Sequence, residues 1–481
     1  MNPMEPSNVP VVHDEQEGIV EPSSHEVQNE ENPSSSSEEL KQEVPEAMEV
    51  KEAEESGFIA SISRCVQKIV PPGGVLGSAF NLASSSIGAG ILGLPSATNS
   101  SGLVMALLYL TVITMTTIFS LNCICIAAQR TQVRSFEGAS RVLLGRWFEY
   151  FVAGVRAFHS LSGCVAYVIS VGDIFSAIMD HSDDAPDFLK RTSGNRLLTS
   201  AVWLCIMLPL VIPKHIDSLR YFSTFAVTFM LYFVVVIIVH SCMNGLPDNV
   251  KDISVGKDDD ASVVLFNSGN KAIEGLGVFM FAYVCQNNAY EVYWDMENPT
   301  QTRFTLAGAI GMGLCFVLYS MTAAFGYLDM GNGFDKSILL AYDPISEPAI
   351  MVAFVGVLSK LCASYALLSM SLRNPLYHSI GWDVDELPYW KHCAAVITLA
   401  CCTLIMGLFI PNINTVLGFA GSITGGSLGF LLPALLVMYS GDFSWEKAGP
   451  LRYILTYVLL IVGVIGVVFG TCATIHATAV G

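Results

Sequence analysis

The sequence predicts an all-α polytopic membrane protein of about eleven transmembrane helices, built as two inverted five-helix repeats plus one extra helix. Three observations predict it. The 481 residues are 52% hydrophobic and only 14% charged, with a mean hydropathy of +0.52, far more apolar than a soluble globular chain. Eleven stretches come close to the roughly 20 mainly apolar residues that a helix needs to cross a bilayer. Two of those stretches, the first and the sixth, carry helix-breaking residues in mid-span.

The spans run Val75–Thr98, Gly102–Ala128, Phe148–Met179, Leu197–Ile212, Phe222–Ser241, Ala272–Tyr293, Phe304–Tyr327, Ala349–Tyr377, Ala394–Ile410, Thr415–Tyr439 and Leu451–Ile475. The fourth and ninth are the shortest. Orientation follows from the flanking Lys and Arg residues. With the N-terminus inside, thirteen fall on cytoplasmic flanks and seven on outer loops. The strongest bias lies between spans two and three, at Arg130, Arg134, Arg141 and Arg146. An odd number of spans then puts the C-terminus on the extracellular or lumenal side, and the plasma membrane is the expected location.

The formal charge of −18 is local. Residues 1–57 hold 16 of the 42 acidic side chains and 2 of the 24 basic ones. A segment so poor in apolar residues cannot bury enough surface to offset its ordering entropy. Residues 1–70 are therefore expected to be a disordered acidic cytoplasmic tail, and residues 71–481 the transmembrane domain. The tail lacks the basic start and apolar core of a signal peptide. Its charge gives no argument for a nucleic-acid partner. Most of the 13 cysteines lie in apolar runs, where a thiol packs as a small hydrophobe. No Cys/His spacing suits zinc, no Gly-rich stretch ends as a phosphate loop does, and no Ser/His/Asp set suggests an enzyme. Neither a metal nor a cofactor is expected.

The first span reads FNLASSSIGAGILGLP from Phe80 to Pro95, with three serines, three glycines and a proline at mid-membrane depth. These residues oppose a continuous helix. A break is tolerated only where the freed backbone groups line a cavity or meet a ligand, and the half-helix beyond it presents N–H groups that can hold a carboxylate. The alternative is a surface of small residues for close helix packing. The sixth span, Glu274 to Asn288, pairs Gly275 and Gly277 with the amides Gln286, Asn287 and Asn288. Breaks five spans apart mark two inverted repeats with a ligand site at their interface. Gly418, Gly421, Gly425 and Gly429 in span ten read as a close-packing face.

Val70-Pro71-Pro72-Gly73-Gly74 followed by FNLASSSIGAGILGLP, with FAYVCQNNAYEVYWDM later, resembles the amino acid/auxin permease family, and most of all its kinetoplastid amino acid permeases. The resemblance covers about Gly73 to Ile475. It implies a leucine-transporter-like fold, alternating access and a small-molecule amino acid as substrate. It also implies that Ser84, Ser85, Ser86, Gly88, Ala89 and Gly90 hold the carboxylate and backbone of that substrate. Phe279, Phe281, Ala282 and Cys285 are implied to supply carbonyls for the amino group and part of the side-chain pocket.

Ionisable residues within spans are costly and usually face a pathway or a partner. Arg156 and His159 in span three are expected either to line an inner vestibule or to be structural. Asp173 in span three and Glu274 opening span six fall in the outer half, where two carboxylates would attract a cationic amino acid such as arginine or lysine. They serve equally well to neutralise nearby bases, and then a neutral substrate fits. Sodium-coupled relatives use hydroxyls and carbonyls of spans one and eight as a cation site. Span eight here carries Lys360, Ser369 and Arg373, with Arg373 where the pattern often has a hydroxyl two residues before Pro375. A fixed cation there replaces sodium, and proton coupling or sodium-independent facilitated exchange is expected; the alternative is a Lys360 paired with a carboxylate. The expected function is an amino-acid permease, with an amino-acid-sensing receptor as the alternative. Deleting residues 2–56 should leave the half-saturation constant for uptake into reconstituted vesicles unchanged, and a large change would contradict the view of the tail as separate from transport.

Overall fold

The computed structural model describes residues 73–183, 185–214, 217–258, 260–384 and 386–480, without the side chains of 217–226 and 480. The tail expected over residues 1–70 lies outside the described residues.

Among the described residues eight helices are long and apolar enough to cross a membrane unaided: Leu103–Thr131, Arg146–His181, Thr192–Val211, Gln301–Met330, Pro348–Ile380, Tyr389–Phe409, Ile413–Tyr439 and Pro450–Ala479. They correspond to expected spans two, three, four, seven, eight, nine, ten and eleven. Span one is a bent pair, Val75–Ser86 and Gly90–Ser101, whose axes meet at 62°. Span five is the helix Asp217–Met243, of which Val227–Met243 is the apolar part among the described residues. Span six is a chain of short pieces, Lys271–Glu274, Leu276–Ala282, a 3-10 turn at Gln286–Asn288, and Ala289–Trp294. Length and composition thus support nine of the eleven expected spans among the described residues; the fifth is a single helix of 27 residues, and the sixth is helical in short pieces.

The elements outside the spans are small. Phe136–Leu144 is a helix between spans two and three, capped where Ser135 Oγ accepts from Gly138 N. A two-residue parallel ladder joins Ile253–Ser254 to Val263–Val264 in the linker before span six, a minor departure from an all-α fold. Every described cysteine is free.

The long, deeply buried span three packs against span eight, and span ten against span eleven and the first part of span six. Small residues make the second contact close. A Cβ on Gly421 would collide with the Gly277 carbonyl, and one on Gly425 would stand 2.9 Å from Met280 Cβ. On the other side a Cβ on Gly418 would meet Thr474, and one on Gly426 would meet Val467 and Gly463. The glycines of span ten are therefore the close-packing face read from their spacing. The same stretch, Gly421–Leu431, winds as a π-helix, which nothing in the spacing indicated.

Two alanine substitutions separate packing from helix propensity. Gly421→Ala should lower stability by about 1–3 kcal/mol through overpacking against backbone. Gly313→Ala, at a mid-span position with nothing within 4 Å, should leave it unchanged or raise it by up to about 1 kcal/mol. Thermal melting of the purified protein in detergent checks the pair, and equal effects would contradict the contact.

Candidate functional site

The site is built around the two interrupted spans. In span one the first half ends at Ser86, and Ile87 leaves the helix with φ −74° and ψ 94°. Gly88 and Ala89 bridge to the second half, whose first turn forms the bond Leu92 N→Ala89 O at 3.1 Å. The N–H groups at a helix start lack intrahelical acceptors and carry partial positive charge. The carbonyls at the end of Val75–Ser86 carry the opposite sign. The break therefore presents an anion-binding end and a cation-binding end side by side.

Span six meets this break directly. A Cβ on Gly90 would lie 2.8 Å from Ala282 Cα, so only glycine allows the two chains to approach. Beyond Ala282 the helix tightens, with Tyr283 N→Met280 O at 3.2 Å and Cys285 N→Tyr283 O at 2.9 Å. Neighbours hold the loosened segment in place. Tyr319 Oη of span seven donates to Ala282 O at 2.8 Å. Arg156 of span three donates through Nε to Asn287 Oδ1 at 2.7 Å and through a terminal nitrogen to Asn287 O at 2.9 Å. Its other terminal nitrogen lies 2.6 Å from Glu137 Oε1 in a buried ion pair.

The implied binding residues are brought together only in part. Ser86, Gly88, Ala89, Gly90, Ala282 and Cys285 are all buried at the junction of the two breaks. The Ser86 hydroxyl is buried at the junction beside the Cys285 thiol. Ser84 and Ser85 lie half-buried one turn earlier, and Ser85 Oγ donates back to Leu82 O at 2.8 Å. Phe281 faces span three, where the His159 ring lies 4.9 Å from it between centroids. Phe279, two residues away, points to the other side of the helix and packs on Tyr109 of span two at 6.0 Å.

Two residues of span three complete the surroundings and were not singled out as ligand-binding from the sequence. A Cβ on Gly88 would fall 2.5 Å from the Tyr167 hydroxyl, which therefore sits over the break. His159 Nδ1 lies 3.0 Å from Thr424 Oγ1, and that hydroxyl donates to Ala420 O at 2.6 Å. Having spent its one proton there, Thr424 accepts from His159, so the proton sits on Nδ1 and leaves Nε2 as an acceptor. No motif marks Tyr167; only the packing reveals it.

The charged candidates separate. Lys360 is fully buried, and its Nζ donates to Ser84 O at 3.4 Å and Ser84 Oγ at 3.3 Å. It thus sits at the negative end of the first half-helix. Arg373 does not share that place. Thirteen residues further along span eight, about 20 Å at 1.5 Å per residue, its guanidinium donates to Val211 O at 3.3 Å, Pro213 O at 3.2 Å and Lys214 O at 2.5 Å. It caps the end of span four. Ser369 lies between them, with its Oγ 3.5 Å from Cys164 Sγ.

Asp173 is six residues, about 9 Å, beyond Tyr167 along span three, beside Ser337 and Lys336 of the linker after span seven. Glu274 lies eight residues before Ala282 with Lys271, His476 and Asp335 around it. Each carboxylate has a basic neighbour of its own, and neither reaches the junction.

Broken helices closed against each other in a membrane bundle define a transport protein of leucine-transporter-like fold. The chain belongs to the transmembrane amino acid transporter family, whose profile matches residues 71–476. It is 25% identical over 411 residues to the amino acid transporter AVT6E of Arabidopsis thaliana, covering 82% of this chain and 83% of that one. Among solved structures it is similar in fold to MhsT in complex with L-phenylalanine, at a TM-score of 0.56 and 16% identity, with 82% of this chain and 98% of that chain covered.

The contact over the break is testable by a double-mutant cycle. Gly88→Ala should cost about 1–3 kcal/mol of stability by forcing the Tyr167 ring aside. Adding Tyr167→Phe removes the hydroxyl that collides and should recover most of that loss, so the two effects should be far from additive. Additive losses in melting temperature would place Tyr167 elsewhere.

Proposed function

We propose that this chain carries a neutral amino acid across the membrane by alternating access, with Lys360 standing in for a mobile sodium ion. The observation that carries the reading is the junction itself. The start of Gly90–Ser101 offers N–H groups for an α-carboxylate, and the carbonyls of the loosened turn around Ala282, each already accepting one hydrogen bond, keep a second lone pair for an α-amino group. The buried Ser86 hydroxyl, beside the Cys285 thiol, adds a third polar contact. Around them Phe281, Tyr167 and Cys285 give an uncharged wall. The phenylalanine held by the fold relative MhsT is in keeping with a ligand of this kind.

Lys360 supports sodium independence on electrostatic grounds. A helix end attracts cations through its unpaired carbonyls, and here an ammonium group already lies on Ser84. A second cation at about 4 Å from a fixed one is repelled by roughly 4 kcal/mol at an effective dielectric constant of 20. Protons are then the expected coupling ion, with the N-terminus cytoplasmic and the plasma membrane as the site of action.

A cationic substrate is the second reading, favoured by Asp173 and Glu274 in the outer part of the molecule. Their distance from the junction and their own basic neighbours weigh against it. A receptor that binds an amino acid without moving it shares the same site and differs only in flux.

Uptake of labelled amino acids into proteoliposomes decides among these. Neutral amino acids should accumulate in choline medium as well as in sodium medium, and excess arginine should compete weakly. Lys360→Met should reduce uptake at least about tenfold, the effect of losing one charge-assisted contact. Loss of uptake in choline would overturn the role given to Lys360. Strong competition by arginine that disappears in Asp173→Asn and Glu274→Gln would establish the cationic reading, and binding without flux the receptor.

A further inference from the structure

Away from the junction, one titratable cluster has a geometry that the transport reading does not use. His240 lies near the end of span five, half-buried, with both ring nitrogens facing carboxylates. Nδ1 is 2.7 Å from Asp329 Oδ2 at the end of span seven, and Nε2 is 3.3 Å from Glu347 Oε1 at the start of span eight. The Asp329 side chain is 1% exposed, the Glu347 side chain 43%. Tyr342, in the linker between those spans, donates to Asp329 Oδ2 at 3.1 Å and turns its ring edge-on to His240 at 4.9 Å. Gly245 N donates to Asp329 Oδ1 at 3.3 Å. Asp329 thus accepts from three donors and gives none. Among the described residues the charged groups within 4 Å of the imidazole are these two carboxylates, while nearby Asp248 is paired with Lys251 at 2.7 Å.

Proton counting turns this arrangement into an inference. A neutral imidazole has one N–H and can donate to one carboxylate only. Its other nitrogen would then point a lone pair at an anion. Satisfying both contacts takes one additional proton, which makes the ring an imidazolium between two carboxylates. We propose that His240, Asp329 and Glu347 form a proton-binding site that, when loaded, fastens the linker 331–347 to the ends of spans five and seven. The proton comes from solvent at the half-exposed Glu347 side and returns there.

The sign follows directly. The loaded site carries one negative charge and two charge-assisted bonds, whereas the empty site carries two negative charges and one bond. The latch is therefore closed when the site holds its proton, in acid, and loosened when the proton leaves as pH rises. Linker 331–347 joins spans seven and eight on the face expected to be outer. Acidity on that face would hold the linker down, a regulation that goes beyond the proposed substrate and coupling and does not depend on them.

The test uses the purified full chain in detergent, with amide hydrogen exchange expressed as protection factors so that the intrinsic pH dependence is removed. Segment 331–347 should lose protection by about tenfold between pH 6 and pH 8, as one charge-assisted bond would give, while span two, residues 103–131, should not change. His240→Gln keeps an uncharged donor that takes up no proton and should remove the pH difference. Glu347→Gln, at a half-exposed position that tolerates the change, should do the same without threatening the fold. Wild-type protection that is independent of pH would overturn the proposal. So would a difference that both variants retain, or one that spreads equally over span two.

Discussion

A backbone N–H or C=O released inside a bilayer has no water to turn to, and each unsatisfied group costs several kcal/mol. Both interrupted spans of this protein are shaped by that constraint. Ala282 O, freed where span six tightens, is met by Tyr319. Asn287 O, further into the same segment, is met by Arg156, which also takes the Asn287 side chain and is itself neutralised by Glu137. The carbonyl of Ser84, near the end of the first half of span one, is met by Lys360. Each break is therefore surrounded by long side chains from spans three, seven and eight. The first N–H groups of Gly90–Ser101, which have no intrahelical acceptor, remain at the junction beside the buried hydroxyl of Ser86.

The same constraint explains where the glycines fall. Freed backbone can be covered by other backbone only if nothing stands between the chains. Gly90 allows span one to touch Ala282, and Gly421 allows span ten to touch Gly277. Span six is thus held from two sides by contacts that a single methyl group would break. Short helical pieces are marginal alone, so these contacts, rather than local propensity, keep the pieces of span six in line.

Much of this was legible in the sequence because the signals were local. Three glycines, three serines and a proline within one apolar run announce a break wherever they occur, and the structure bends by 62° there. Hydropathy located the spans for a similar reason. What escaped depended on contacts between distant residues. Phe279 and Phe281 look equivalent in a list but lie on opposite faces, one against Tyr109 and one against His159. Lys360 and Arg373 look like one basic cluster on span eight, yet about 20 Å of helix separates them and Arg373 serves the end of span four. Asp173 and Glu274 draw attention as membrane carboxylates, but their neighbours are bases of their own region. Tyr167 and Glu137 gave no signal at all, since a tyrosine within a span and a glutamate in a loop are ordinary until a fold places them beside Gly88 and Arg156.

The buried charges also limit how the molecule can move. Removing one partner from a buried pair leaves an uncompensated charge, at a cost of roughly 3–5 kcal/mol. Arg156 ties the helix Phe136–Leu144 and span three to span six, whereas Lys360 ties span eight to span one. A motion that parts span one from span eight, or span six from span three, must supply new partners at the moment the old ones are lost. Water entering from one side supplies them, and so do the carboxylate and amino groups of a bound substrate. Water admitted from both sides would satisfy every group without any substrate, and the bundle would become a channel. The two broken spans are thus tied to different elements by separate charge-assisted hydrogen bonds, Arg156 to Asn287 of span six and Lys360 to Ser84 of span one, so one contact can be replaced by water while the other stays made.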